Sequence, residues 1–197
     1  MFVTQLFPTE FWQFNSTDID NEKLLSIILE EEQNQKSVSY SNVGGWHSDD
    51  ISFQDKRYNE VGMFIRKSFE TVYKANNYID NLLIKVPAMW SMVNRKTHFN
   101  KHHFHPDCDW SFTYYVSAPV DSGNIVLVDP RIRKAMRDHR FILKNYKNPG
   151  THEIFALTPI AGQLIIFPSY VEHHVEQNLT DNVRVCIAGN IALEKKT

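Results

Sequence analysis

The chain has 197 residues, of which 42% are hydrophobic, 13% aromatic and 22% charged, and its formal net charge is −2. This is the composition of a water-soluble globular protein long enough to bury a core, and its balanced charge leaves no footprint for nucleic acid or an acidic membrane. No run is apolar and long enough to span a bilayer, two cysteines make no disulfide framework, and the N-terminus carries no signal-peptide pattern, so the expectation is a cytoplasmic protein that binds neither membrane nor nucleic acid.

Phe2, Thr4 and Leu6 alternate with Val3, Gln5 and Phe7, which reads as a short strand stopped by Pro8. Ser16-Thr17-Asp18 can cap a helix running from near Ile19 to about Gln33, with Leu24, Leu25, Ile28 and Leu29 on one face. Gly44-Gly45 marks a loop. No Lys-Ser/Thr pair follows it and no helix opens on it, so it lacks the parts of a phosphate cradle. From Lys56 to Leu83, the positions Val61, Phe64, Ile65, Phe69, Val72, Tyr73 and Ile79 predict one long amphipathic helix laid over a sheet.

After Leu83 the character changes. Ile84-Lys85-Val86, residues 88–93, 97–99, 111–116, 125–128, 152–157, 163–167 and 183–193 are short, aromatic and β-branched, with Pro, Gly, Asn and Asp between them. Helices first and then about eight strands predict an α+β, mainly β protein: a double-stranded β-helix (jelly roll, cupin-like) with N-terminal helices packed on one face. We expect a single domain over 1–197, helix-rich over 1–83, with the jelly-roll core over 84–197. The basic stretch Arg131 to Lys147 lies between two strands and reads as a solvated loop or short helix.

His102-His103-Phe104-His105-Pro106-Asp107 packs three histidines and a carboxylate into six residues. On a strand, His103 and His105 share a face, and Asp107 joins them if the strand continues past Pro106. Two imidazoles and a carboxylate on one face are the facial triad that suits Fe(II). His105-Pro106-Asp107 is one half of such a site, and a distal histidine must supply the rest. His173 does so, after the break Phe167-Pro168-Ser169. Arg184 lies eleven residues further on, in the apolar strand Val183-Arg184-Val185-Cys186-Ile187-Ala188. A guanidinium facing a barrel interior needs an anion, and its fork suits a carboxylate. A dicarboxylate that chelates iron by its 2-oxo acid end and reaches Arg184 by its far end is 2-oxoglutarate.

These residues also carry a resemblance. The chain resembles the 2-oxoglutarate/Fe(II) oxygenases of bacteria and their phages, a prolyl-hydroxylase-like branch of the double-stranded β-helix oxygenases. The likeness rests on residues 41–46, Trp90, residues 100–106 with Tyr114-Tyr115-Val116, residues 122–126 with Asp129-Pro130-Arg131, and Phe167-Pro168-Ser169 through His173 and Arg184 to Asn190. It implies a jelly-roll core, one Fe(II), and oxidation of 2-oxoglutarate to succinate and CO2. By analogy with prolyl hydroxylases, Tyr115, or else Tyr114, helps to hold the co-substrate carboxylate. In that branch His103-x-His105-Pro is the steady part and the position of Asp107 is often small or polar. The expected ligands are His105, Asp107 and His173, with His103 as the alternative. His174 is read as a non-ligand, His98 and His102 as surface or supporting residues, and His47, His139 and His152 have no assigned partner.

The leading reading is an Fe(II)/2-oxoglutarate-dependent dioxygenase that hydroxylates a small molecule or a protein side chain, with no catalytic residue beyond the metal centre. The alternative is a non-oxidative cupin-type metalloprotein, an isomerase or binding module, which has no need of Arg184. Neither the substrate nor the oligomeric state is legible in the sequence.

Overall fold

The computed structural model describes residues 2, 4, 7–131 and 154–196. Along the chain these form β1 (Trp12–Asn15), α1 (Asn21–Asn34), β2 (Asn42–Val43), β3 (Trp46–His47), a 3-10 turn (Lys56–Tyr58), α2 (Asn59–Ala75), β4 (Leu82–Asn94), β5 (Phe99–His103), β6 (Trp110–Ser117), β7 (Ile125–Val128), β8 (Ile154–Leu157), β9 (Gln163–Pro168), β10 (His173–Val175) and β11 (Arg184–Lys195). One sheet runs β1-β9-β6-β11-β4-β3 and the other β2-β5-β10-β7-β8. The described residues are thus mostly β, with two α-helices and two antiparallel sheets arranged as a double-stranded β-helix.

Strand alternation sorts the core into two layers. Met89 and Val93 of β4, Phe112, Tyr114 and Val116 of β6, Leu164 and Ile166 of β9, and Val185, Ile187 and Ile191 of β11 join Leu24 and Ile28 of α1 and Ile65 and Phe69 of α2 in one buried cluster. The helices therefore cover the outer face of the six-stranded sheet. The alternate residues Tyr115, Ile165 and Phe167 pack with Ile125 and Leu127 between the sheets. Gly189 is required where β11 meets β6, because a Cβ there would strike the Phe112 ring and the Ala88 carbonyl. Glu31 is buried on α1 and is satisfied by the Tyr58 hydroxyl at 2.6 Å and by Arg57 at 2.7 Å.

Several expected boundaries move. Phe2 and Thr4 lie in no strand, and the other positions of that segment before Phe7 lie outside the described residues. Helix α1 is capped by Asp20, which accepts from the Lys23 amide at 3.0 Å, rather than by Ser16-Thr17-Asp18. The long helix expected to reach Leu83 ends at Ala75. Asn77 takes a left-handed φ of 52° just beyond it, Ile79 is exposed, and Leu82 and Leu83 begin β4. The two strands expected over 84–93 are one, continuing through Pro87 beside an irregularity in the β4–β11 ladder, where a missing N–H is tolerated. Strands β1, β2, β3 and β10 were not anticipated, being two to four residues each. All of 132–147 in the basic stretch lies outside the described residues, as do His139 and His152. No described helix is long and apolar enough to cross a membrane.

Candidate metal centre

Strands β5 and β10 are antiparallel, and His103 and His173 are Cα partners across them. Directly opposed residues project to the same face. β5 ends at His103, and the chain then bends so that the His105 amide donates to the Ser169 carbonyl at 3.0 Å. His105 thereby swings back beside the strand pair. One ring nitrogen from each of His103, His105 and His173 lies within 4.8 Å of the other two. The ring centroids are 5.3, 4.2 and 5.2 Å apart for the pairs 103–105, 103–173 and 105–173.

The far nitrogen of each ring fixes its orientation. Nδ1 contacts the Lys101 carbonyl at 2.7 Å in His103, the Val171 carbonyl at 3.0 Å in His173, and Asn190 Oδ1 at 2.5 Å in His105. These oxygens can only accept, so each Nδ1 carries the proton and each Nε2 keeps a lone pair. Asn190 Oδ1 also accepts from Ser111 Oγ at 3.2 Å, and Ser111 Oγ lies 2.8 Å from Ser169 Oγ. This partly buried network holds His105 as outer partners hold metal-bound histidines. His105 Nε2 is itself buried with no partner among the described residues, and Ser41 Oγ lies 3.4 Å from His103 Nε2. Burial pulls His105 down to about 4 and His173 down to about 3, and lowers His103 as well. Three neutral imidazoles, each with a ring nitrogen within 4.8 Å of the other two, fit a divalent transition metal.

Asp107 is placed elsewhere. Because β5 stops at His103, strand alternation does not reach it; it lies in a turn after Pro106, exposed, with a left-handed φ of 60°. It is not one of the three clustered residues. His174 projects to the opposite face from His173 and stacks on His102.

Arg184 opens β11 at 2% exposure. Its Nη1 donates to the carbonyls of Ser122, Gly123 and Glu176, while Nη2 is buried with no partner among the described residues. Half the fork is thus tied to the backbone and half is left for a guest. Burial pulls its pKa down, opposed by the Cys186 thiol and the Tyr115 phenol. A buried cation with an orphaned N–H calls for an anion. Gly123 makes the approach possible: at φ 90°, a Cβ would meet the Glu176 carbonyl, the Gln177 carbonyl at 2.8 Å and Arg184 Nη1 at 2.9 Å.

One cavity of about 570 Å³ is lined by the three histidines together with Arg184, Tyr115 and Cys186. Tyr115 faces it and is buried, which raises its phenol pKa, whereas Tyr114 faces the helices and donates to Asn21 Oδ1 at 2.8 Å. Four further residues of the site were not singled out in this role: Asn190, Gly123, Trp90 and His47. The rings of His47, Trp90 and His105 stack in a row, at 5.3 and 5.7 Å. The available signal was parity, since Asn190 shares the inward face of β11 with Arg184.

Residues 88–190 match the family model described as "Putative 2OG-Fe(II) oxygenase". No curated protein matches the chain. Among solved structures, a Pseudomonas putida prolyl-4-hydroxylase has a TM-score of 0.63 at 11% identity, covering 96% of this chain and 94% of that one. A viral collagen prolyl hydroxylase from Paramecium Bursaria Chlorella virus-1, in its 2OG complex, has a TM-score of 0.59 at 10% identity, covering 92% and 94%. HygX from Streptomyces hygroscopicus, with nickel and 2-oxoglutarate bound, has a TM-score of 0.60 at 12% identity, covering 93% and 83%.

Proposed function

The chain belongs to the 2OG-Fe(II) oxygenase family, whose cofactors are Fe(II) and 2-oxoglutarate, and from that premise we propose that it hydroxylates a small molecule or a protein side chain with O2 as the oxidant: one oxygen atom enters the product C–H bond as a hydroxyl and the other enters succinate as 2-oxoglutarate loses CO2. His103, His105 and His173 hold the iron through Nε2. Arg184 takes the far carboxylate of 2-oxoglutarate through Nη2, with Tyr115 beside it. When bound, iron and 2-oxoglutarate supply the oxidising chemistry, as cofactors do. The chain's own residues place and shield. Asn190, Lys101 and Val171 keep the three imidazoles in the ligating tautomer. Phe167, Ile125 and Val175 help to line the cavity with apolar surface that keeps water out.

The observation that carries this reading is the pairing of unsatisfied atoms in one cavity: His105 Nε2 at the metal end and Arg184 Nη2 at the anion end. The test is succinate formation from 2-oxoglutarate with Fe(II), without substrate and across a panel of amino acids, peptides and metabolites. Stimulation by at least one candidate, with a product heavier by one oxygen, is expected. Absence of succinate from metal-loaded protein under every condition would overturn it.

A further inference from the structure

β5 and β10 carry histidines on both faces. His103 and His173 look inward, while their chain neighbours His102 and His174 look outward. The rings of His102 and His174 stack with centroids 4.1 Å apart and planes 25° apart. His102 is exposed, and His174 Nδ1 is buried with no partner among the described residues. Glu176 lies just beyond β10, with Oε2 accepting from the Asn124 amide at 3.1 Å. None of these groups belongs to the His103-His105-His173 cluster.

We propose that His102 and His174 form a second metal site, which takes one divalent transition ion of the Zn2+, Ni2+ or Cu2+ class. Imidazole nitrogens suit these ions. Two metal–nitrogen bonds of about 2.0–2.1 Å each bridge nitrogens up to about 4 Å apart, and rings stacked with centroids 4.1 Å apart are close enough to meet that reach once they turn edge-on to the ion. β5 and β10 already bring the two rings together, at an irregularity in their ladder, so only the turn of the rings remains to be ordered on binding. His102 is free to turn its ring edge toward the ion, Glu176 adds negative charge to the same side, and water fills the open positions. Two protein nitrogens bind more weakly than three, so this site fills after the inner one. An ion there clips β5 to β10 and so steadies His103 against His173. The proposal stands apart from the iron assignment.

The experiment is calorimetric titration of the full, tag-free chain with ZnCl2, alongside His102→Asn, His174→Ala and His103→Ala. Two ions per wild-type chain are expected, with the weaker one lost in His102→Asn and in His174→Ala and retained in His103→Ala. His102 is exposed, so His102→Asn keeps the fold even if His174→Ala does not. If wild type and His102→Asn bind the same number of zinc ions with the same affinities, the second site does not exist. If instead a zinc ion is lost in His102→Asn while His103→Ala matches wild type, the outer site stands and the inner assignment falls.

Discussion

His103 and His173 face one another across β5 and β10 with ring centroids 4.2 Å apart, although they lie 70 positions apart in the chain. The backbone ladder itself sets this pair, and His105 reaches it only through the bend that follows.

A three-histidine iron site therefore separates cleanly from a site that uses Asp107. His103→Ala should weaken Fe(II) or Co(II) binding by more than the roughly 100-fold seen when only a supporting partner is lost. Asp107→Ala should leave the affinity within about twofold, since surface changes have small effects. Anaerobic metal titration of both variants measures this. Loss in Asp107→Ala with retention in His103→Ala would reverse the assignment.

Arg184→Ala should weaken 2-oxoglutarate by about 2–5 kcal/mol, roughly 30-fold to several thousand-fold. Iron affinity should not change. Arg184→Lys should remain weak, because an ammonium cannot hold three carbonyls and still present a planar donor to the guest. Gly123→Ala should act in the same direction by displacing Nη1. The visible absorption of the Fe(II)–2-oxoglutarate complex under anaerobic conditions reports all three. Equal dissociation constants in wild type and Arg184→Ala would move the anion site elsewhere.

Asn190 acts through His105. Asn190→Leu removes the oxygen that keeps the proton on Nδ1, and metal affinity should drop by about 10–100-fold. Asn190→Asp restores an acceptor and should recover most of it. Co(II) titration and its ligand-field spectrum distinguish this from a folding defect.

His47 gives a pH dependence that does not involve the ligands. Burial lowers its pKa below the ordinary histidine value of about 6.5, against the opposing Ser48 carbonyl and the Asp50 and Asp49 carboxylates. Below 6.5 the unfolded chain takes up a proton that the folded one does not, so stability rises with pH in that window. The contribution is intact above 6.5 and declines as pH falls toward the folded pKa, by at most about 1.4 kcal/mol per pH unit. His47→Gln should therefore compare better with wild type at pH 5 than at pH 7.5 in urea unfolding. An identical difference at both values would contradict this.

The sequence was most legible where side chains repeat. The alternation in residues 111–116, 163–167 and 183–193 marks strands because each has one face on the helices and one on the cavity. Arg184 stood out as a charge among apolar neighbours. The placement of Asp107 was harder to read, because the His-x-Asp spacing presumes a strand past Pro106, whereas β5 ends at His103 and a turn follows. The helix over 56–83 ran too long because Ile79 keeps the period by chance beyond Asn77. Strand β10, three residues long, has no local pattern and exists through its partners on both sides.

The long β4–β11 ladder has a kinetic consequence. It joins residues 90 to 113 positions apart, from Arg184↔Asn94 to Lys195↔Leu82. Pairings this distant in sequence fold slowly, on the order of milliseconds to seconds. His103 and His173 also come together only through a pairing 70 positions long in sequence, so a metal ion is a poor nucleus for the chain. Its effect belongs after the barrier, where late contacts slow unfolding and leave the folding rate unchanged. The chain must reach its shape empty-handed, and the ion then decides how long it keeps it.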